Sequence, residues 1–359
     1  MKNSTKNPFG RATRLVAWAA FLFIFISCGE EDNPVSPTPS LNITTLASGF
    51  HGLMGIESDD QGNIWVSEAG TDTADANGDT HNNTGKILLI TPDGEKHDAI
   101  INLASYANIN SGELQGAVHI LLDDETLYIL SGDYLYLADV SNFNPGDAPI
   151  DANTLPKEDI FSVISQIPSE NNPDQDSHPY NLTLGPDGDL YITDAGANAI
   201  IRREGVNDYS VLAEIPPIPN PAFPDLGGPT VQSVPTSISY DGNNFLVTSL
   251  TGFPFPQEQA AIYSVSMSGD VSVYQTGFTM LVDQETGSRT KHIVVKHAAS
   301  FNPASGFEPN SGSLIWVDGT TPDTLADGLN LPVGIEQVND HTWYVTSLGD
   351  GAVLKVTYE

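Results

Sequence analysis

A single cysteine in 359 residues leaves this chain with no disulfide framework and no Cys/His spacing of the zinc-binding kind. Basic residues are nearly as scarce, 13 Lys and Arg against 46 Asp and Glu. A surface of that sign repels phosphate backbones, which excludes nucleic acid as a partner and favours cations or cationic ligands. Catalytic motifs are missing as well. The chain has no Gly-x-Ser-x-Gly elbow, no His-Glu-x-x-His helix and no phosphate-binding glycine loop. The apolar stretch at 15–26 is too short for a comfortable transmembrane helix.

The first 27 residues differ in kind from the rest. Lys2, Lys6, Arg11 and Arg14 give a basic start, the apolar stretch follows, and Ser27 precedes the one cysteine, Cys28. This order is that of a secretory leader. Phe25-Ile26-Ser27-Cys28 resembles a bacterial lipobox, with Phe25 where Leu is usual. The expectation is a signal peptide over 1–27, an acylated Cys28, an acidic and proline-rich tether over 28–40 and one folded domain over 41–359. Without the leader, nine basic residues face 46 acidic ones, a net charge near −37. Acidic residues directly after Cys28 resemble the surface-export signal of lipoproteins in Bacteroidetes-like bacteria. The predicted location is the outer membrane, on its surface or periplasmic face, with the membrane as partner through the lipid anchor.

Beyond the tether, six short segments share one pattern, an apolar strand that runs into small or polar residues. They are Ile64-Trp65-Val66-Ser67-Glu68, Leu127-Tyr128-Ile129-Leu130-Ser131, Leu190-Tyr191-Ile192-Thr193-Asp194, Phe245-Leu246-Val247-Thr248-Ser249, Ile293-Val294-Val295-Lys296 and Trp343-Tyr344-Val345-Thr346-Ser347. Counted from their second residues, they lie 63, 63, 55, 48 and 50 positions apart. A self-similar period near fifty in an all-strand chain predicts a six-bladed β-propeller, in which each repeat is a four-stranded blade that cannot bury its faces alone. Turns rich in Asp, Asn and Gly precede the segments, as tight hairpins demand. The strands before those turns, at 51–57, 114–121, 178–184, 234–240, 279–282 and 331–337, are expected to be innermost. The chain ends on a strand at 352–358 that looks like the third of its blade. Residues 41–46 are expected to supply the fourth, closing the ring.

The third repeat carries a family resemblance. His178-Pro179-Tyr180-Asn181-Leu182-Thr183-Leu184-Gly185-Pro186-Asp187-Gly188-Asp189 and the strand after it resemble a run of the ScyD/ScyE family. Val234-Pro235-Thr236, the run Leu250-Thr251-Gly252-Phe253-Pro254-Phe255-Pro256, Gly277-Phe278-Thr279 and Leu329-Asn330-Leu331-Pro332 are similar to further elements of that family. The resemblance covers nearly the whole propeller and is most specific at Thr251–Pro256. Departures lie at 283–289, where the usual turn is replaced, and in insertions at 71–83 and 142–176. Related six-bladed propellers include NHL-repeat binding proteins and the calcium-dependent gluconolactonase class, so the resemblance implies a fold without a settled activity.

Two readings of function follow. In the first, the protein is a lipid-anchored monomeric module that binds a small molecule, a glycan or another protein at the mouth of the propeller channel. In the second, it is a divalent-metal-dependent hydrolase of the gluconolactonase-like class. That class places a Glu at the opening of the first inner strand, where this chain reads Phe50-His51-Gly52-Leu53, so the module is favoured over the enzyme. The polar residues expected to converge at the mouth are His51, Glu68, Gln115, His119, His178, Asn181 and Asp194, with no catalytic residue assigned. Asp72, Asp75, Asn77 and Asp79 alternate as in a calcium loop, yet Thr80 stands where an EF-hand needs Gly and Lys86 where it needs Glu. Ca²⁺ is the one cofactor these positions suggest.

Overall fold

The anchor segments are apolar at successive positions, which suits only a strand covered on both faces. In the computed structural model, which describes residues 40–71, 79–108, 113–167, 169, 171–221, 224–226, 228–286 and 292–358, that is their setting. Ile64–Glu68, Leu190–Asp194 and Phe245–Ser249 are buried along their whole length. Each is the second strand of a blade, and the side chains on its two faces enter different cores. Ile64 and Val66 pack toward the last blade, whereas Trp65 packs toward the second. Among the described residues there are six apolar clusters, one at each junction between neighbouring blades. At about 1.5–3 kcal/mol per large side chain buried, these six wedges are the main favourable term in folding.

The chain is therefore a six-bladed β-propeller. Blades two to five are four-stranded sheets, each beginning at its inner strand: Ala117–Asp123, Pro179–Leu184, Pro235–Tyr240 and Leu281–Glu285. Blade six begins at Pro332–Asn339, and its fourth strand comes from the other end of the domain. Leu41–Ser48 pairs antiparallel with the last strand, Ala352–Tyr358, from Leu41 opposite Tyr358 to Ser48 opposite Ala352. The exchange expected from the sequence closes the ring and covers the blade edge.

Two expectations are corrected. Blade one, starting at Leu53–Ser58, is a six-stranded sheet rather than a four-stranded one. Its outer strand Lys96–Asn108 takes Glu113–Gln115 and also a parallel strand, Ile150–Asp151, from the insertion after blade two. The same insertion then returns Lys157–Asp159 as the outer strand of blade two. In blade five the inner strand runs to Glu285, three residues beyond the expected end. Asp283-Gln284-Glu285 contains no Gly or Pro to turn the chain, so the ladder with His292–Lys296 continues through it.

The inner strands share a device that places side chains in the channel. Every one of the six shifts register just after its first residue, between Leu53 and Ile56, Ala117 and His119, Pro179 and Asn181, Pro235 and Ile238, Leu281 and Asp283, and Pro332 and Gly334. A bulge of this kind bends a strand and re-aims a side chain. Its freed amide needs an acceptor. A hydroxyl from the second strand supplies one at three bulges, Ser67 to the N–H of Gly55 at 2.8 Å, Thr193 to Asn181 at 3.1 Å and Thr248 to Ser237 at 3.0 Å. Hydroxyls of these strands also donate to the next inner strand, Ser67 to the carbonyl of Val118 at 3.2 Å and Thr346 to that of Met54 at 2.5 Å.

Candidate functional site

Because the bulge recurs in every blade, the third residue of each inner strand falls in one layer and the fifth in another. The upper layer is Gly55, His119, Asn181, Ser237, Asp283 and Gly334. Its two glycines mark where no side chain fits. A Cβ on Gly55 would lie 2.8 Å from His119 Cα, and one on Gly334 would lie 2.8 Å from the carbonyl oxygen of Met54. The remaining four close on one another across the ring. Asp283 accepts from Asn181 Nδ2 at 3.1 Å and from the N–H of Ile335 at 2.9 Å, while Asn181 Nδ2 also reaches Ser237 Oγ at 3.2 Å. From the opposite blade, His119 Nε2 stands 3.7 Å from Asp283 Oδ2.

The lower layer is Glu57, Leu121, Thr183, Ser239, Glu285 and Glu336. With the upper layer it lines a cavity of about 420 Å³ at the end of the channel where the inner strands finish. Three of the six positions are half-buried carboxylates. Glu57 accepts from the N–H of Leu122, and Glu336 Oε1 accepts from Ser58 Oγ at 2.5 Å and also from the Ser58 backbone. Glu285 bonds Glu336 directly. Burial, then the charges of Glu336 and Asp283, pushes the Glu57 carboxyl well above the usual range, and burial with Glu336, Asp283 and Glu57 does the same to Glu285. Burial also raises Glu336, to about 7 in spite of the bonds from Ser58. Glu285 and Glu336 are therefore placed to share one proton, since two carboxyls this crowded cannot both ionise at once.

The seven residues expected at the mouth separate into four groups. His119 and Asn181 belong to the upper layer just described. Gln115 and His178 lie at the opposite face, where the inner strands begin, on the rim of an apolar cavity of about 180 Å³ lined by Met54, Val118 and Tyr180. His51 is exposed and sits at that face with Leu348–Gly351 of the last blade. Glu68 and Asp194 are buried and occupied in holding the chain. Glu68 accepts from the N–H of His51 at 2.8 Å and pairs with Lys86 Nζ at 3.2 Å. Asp194 accepts from the N–H groups of His178 and Ala197 at 2.7 and 2.9 Å and from Ser177 Oγ at 2.5 Å. Glu57, Asp283, Glu285 and Glu336 escaped the sequence reading. The signal that finds the three glutamates is the fifth position of six aligned inner strands, where acidic residues stand in three of the six; Asp283 stands at the third.

Asp72, Asp75 and Asn77, the weak calcium candidates, lie outside the described residues, as does the side chain of Asp79, and so do Cys28 and the leader. Among the described residues no three His, Cys, Asp or Glu side chains are grouped to hold a metal ion. No helix among them is long and apolar enough to cross a membrane. The run most specific to the family resemblance builds an aromatic cluster at the face where the inner strands begin. Phe255 packs on Phe301 and Phe307 with ring centroids 4.8 and 5.3 Å apart, and Phe253, 45% exposed, caps them.

No protein-family model matches the chain, and no curated protein matches it. Solved structures do. Virginiamycin B lyase from Staphylococcus aureus is 14% identical with a TM-score of 0.50, covering 89% of this chain and 99% of its own. Aldose sugar dehydrogenase from Streptomyces coelicolor is 13% identical with a TM-score of 0.58, over 90% of this chain and 99% of its own. A gluconolactonase from Xanthomonas campestris is 10% identical with a TM-score of 0.54, over 89% of this chain and 90% of its own. Enzymes of unlike chemistry share the architecture, so at this identity the likeness assigns the β-propeller fold and no activity.

Proposed function

We propose that this protein is a lipid-anchored binding module that holds a small molecule in the carboxylate-lined end of its channel. The observation that carries the reading is the 420 Å³ cavity, fed by all six blades, where Glu57, Glu285 and Glu336 meet without a Lys or Arg among the described residues that line it. Crowding partly buried acidic groups is costly to fold, so a protein that assembles three of them gains when a ligand completes the set. The cavity has the size of a small-molecule site rather than of a protein docking face. The metal-dependent hydrolase reading finds no fitting donor set among the described residues. The anchor rests on Ser27-Cys28 behind a basic and apolar leader, and with the acidic tether it supports an outer-membrane location for a monomer that does not bind nucleic acid.

A thermal-shift screen of amines, sugars and lactones tests the site, run beside a Ser239→Phe variant that fills the cavity. Compounds that raise the melting temperature of the wild type but not of the filled variant support the reading. Hits that persist in the filled variant, or no hits at all, overturn it. For the anchor, Cys28→Ser is expected to abolish acylation and membrane partitioning in a Gram-negative host.

A further inference from the structure

Two buried polar atoms of this cavity have no hydrogen-bond partner. His119 Nδ1 lies 3.0 Å from the carbonyl oxygen of Ile120, which only accepts, so Nδ1 carries a hydrogen and, in the neutral ring, Nε2 presents a lone pair. That Nε2 is buried in a residue only 8% exposed and has no hydrogen-bond partner. Its nearest polar neighbour is Asp283, another acceptor, at 3.7 Å. Ser239 Oγ, one layer down, is likewise buried and unpartnered. The ionised groups of the cavity are acceptors too, and none of the described residues lining it is Lys or Arg.

We propose that the channel binds an organic cation bearing N–H donors, a primary alkylammonium, with its charged head among Glu57, Glu285 and Glu336. The inference rests on the channel being the ligand site. An ammonium offers three donors and a positive charge, and lone pairs and carboxylates are what this cavity leaves open. The acidic surface adds attraction at a distance by concentrating cations near the mouth. Glu285 and Glu336 share a proton in the empty channel, and an incoming cation displaces it. The other titratable groups lining the cavity are His119, Asp283 and Tyr240.

Calorimetric titration of the purified protein with 1,4-diaminobutane at pH 7 and about 0.15 M salt tests this, in two buffers of different ionisation enthalpy. The expected result is one-to-one binding whose heat depends on the buffer, revealing release of up to one proton per ligand. Tetramethylammonium, of equal charge per head but without N–H groups, is expected to bind at least tenfold more weakly. The Glu285→Gln/Glu336→Gln double variant is expected to lose at least tenfold in diamine affinity and all of the proton release, while its melting temperature confirms that it folds. Equal binding of tetramethylammonium and diamine, or diamine binding unchanged in the double variant, overturns the proposal. A neutral compound blocked by Ser239→Phe, with no diamine bound, overturns the ligand class and leaves the channel as the site. Diamine bound at full strength by Ser239→Phe overturns both.

Discussion

Asp194, buried, and Glu285, half-buried, are both carboxyl groups on β-strands of the propeller, and their surroundings give them opposite roles. Asp194, with Glu68 as its counterpart in blade one, ends a second strand and accepts the N–H of the residue at the start of the neighbouring inner strand. Every lone pair it directs at the protein meets a donor. Glu285, like Glu57 and Glu336, is the fifth residue of an inner strand and faces other carboxyls. Burial raises Asp194 too, but its backbone and hydroxyl donors oppose that rise, whereas the neighbours of Glu285 add to it. The type of residue does not separate a brace from a binding group; the sign of what surrounds it does.

The largest effect is expected at Asp194. Asp194→Ala removes the acceptor for the N–H groups of His178 and Ala197 in a site with no exposure. At roughly 1–3 kcal/mol for each buried donor left unmade, the loss is about 3–5 kcal/mol, read as a lower denaturation midpoint with an unchanged m-value. A loss below about 1 kcal/mol would mean that water or a shifted Ser177 replaces the carboxylate, and the distinction between brace and binding group would fail.

At Glu285 the expected sign is reversed. Glu285→Gln keeps a donor for Glu336 and removes a carboxyl that burial and three acidic neighbours disfavour. The variant should gain about 1 kcal/mol or more at pH 8. The pH dependence follows from the same groups. Glu336 titrates near 7 in the folded protein, above its ordinary 4.5, so the folded state holds an extra proton between those values. Its contribution is fully present below about pH 4.5 and is lost as pH rises through 7. His292 and His297 act in the other direction. Burial lowers His292 to about 4 and lowers His297 as well, so their contribution is present above about pH 6.5 and lost as pH falls. From pH 6.5 to 8 the raised glutamates set the sign of the change, and the wild-type melting temperature should fall across that interval. In the Glu285→Gln/Glu336→Gln variant the slope should be shallower, with Glu57 left to contribute.

Much of this ring was legible in the sequence. Strands covered on both faces must be apolar at successive positions, so the anchors stand out, and the unpaired last strand pointed to residues 41–46 as its partner, a pairing that the structure carries on to Ser48. The channel was harder to read for two physical reasons. Blade five has no Gly or Pro at 283–285, so its inner strand runs past the expected end at 282 and takes in Asp283 and Glu285. The bulges also shift each inner strand by a residue, so plain alternation does not say which side chains enter the channel. Contacts across the ring, such as His119 with Asp283, join residues 164 positions apart and follow from closure alone. Glu68 and Asp194 attracted attention as carboxylates at strand ends, yet the backbone donors that occupy them come from loops whose path the sequence does not specify.

The smallest effect is expected at Glu68, and it separates the two parts of that brace. Glu68→Gln keeps an oxygen for the N–H of His51 and gives up only the charge facing Lys86. Lys86 is about a third exposed and lies equally close to Asp98, at 3.2 Å, so it keeps an ionic partner. Pairs of that exposure contribute between 0 and about 1 kcal/mol, and the variant should lose no more than this. The loss should shrink further in 1 M salt, where the Debye length falls to about 3 Å. A loss of about 3 kcal/mol, insensitive to salt, would place the worth of Glu68 in its charge rather than in the backbone bond and would remove the likeness to Asp194.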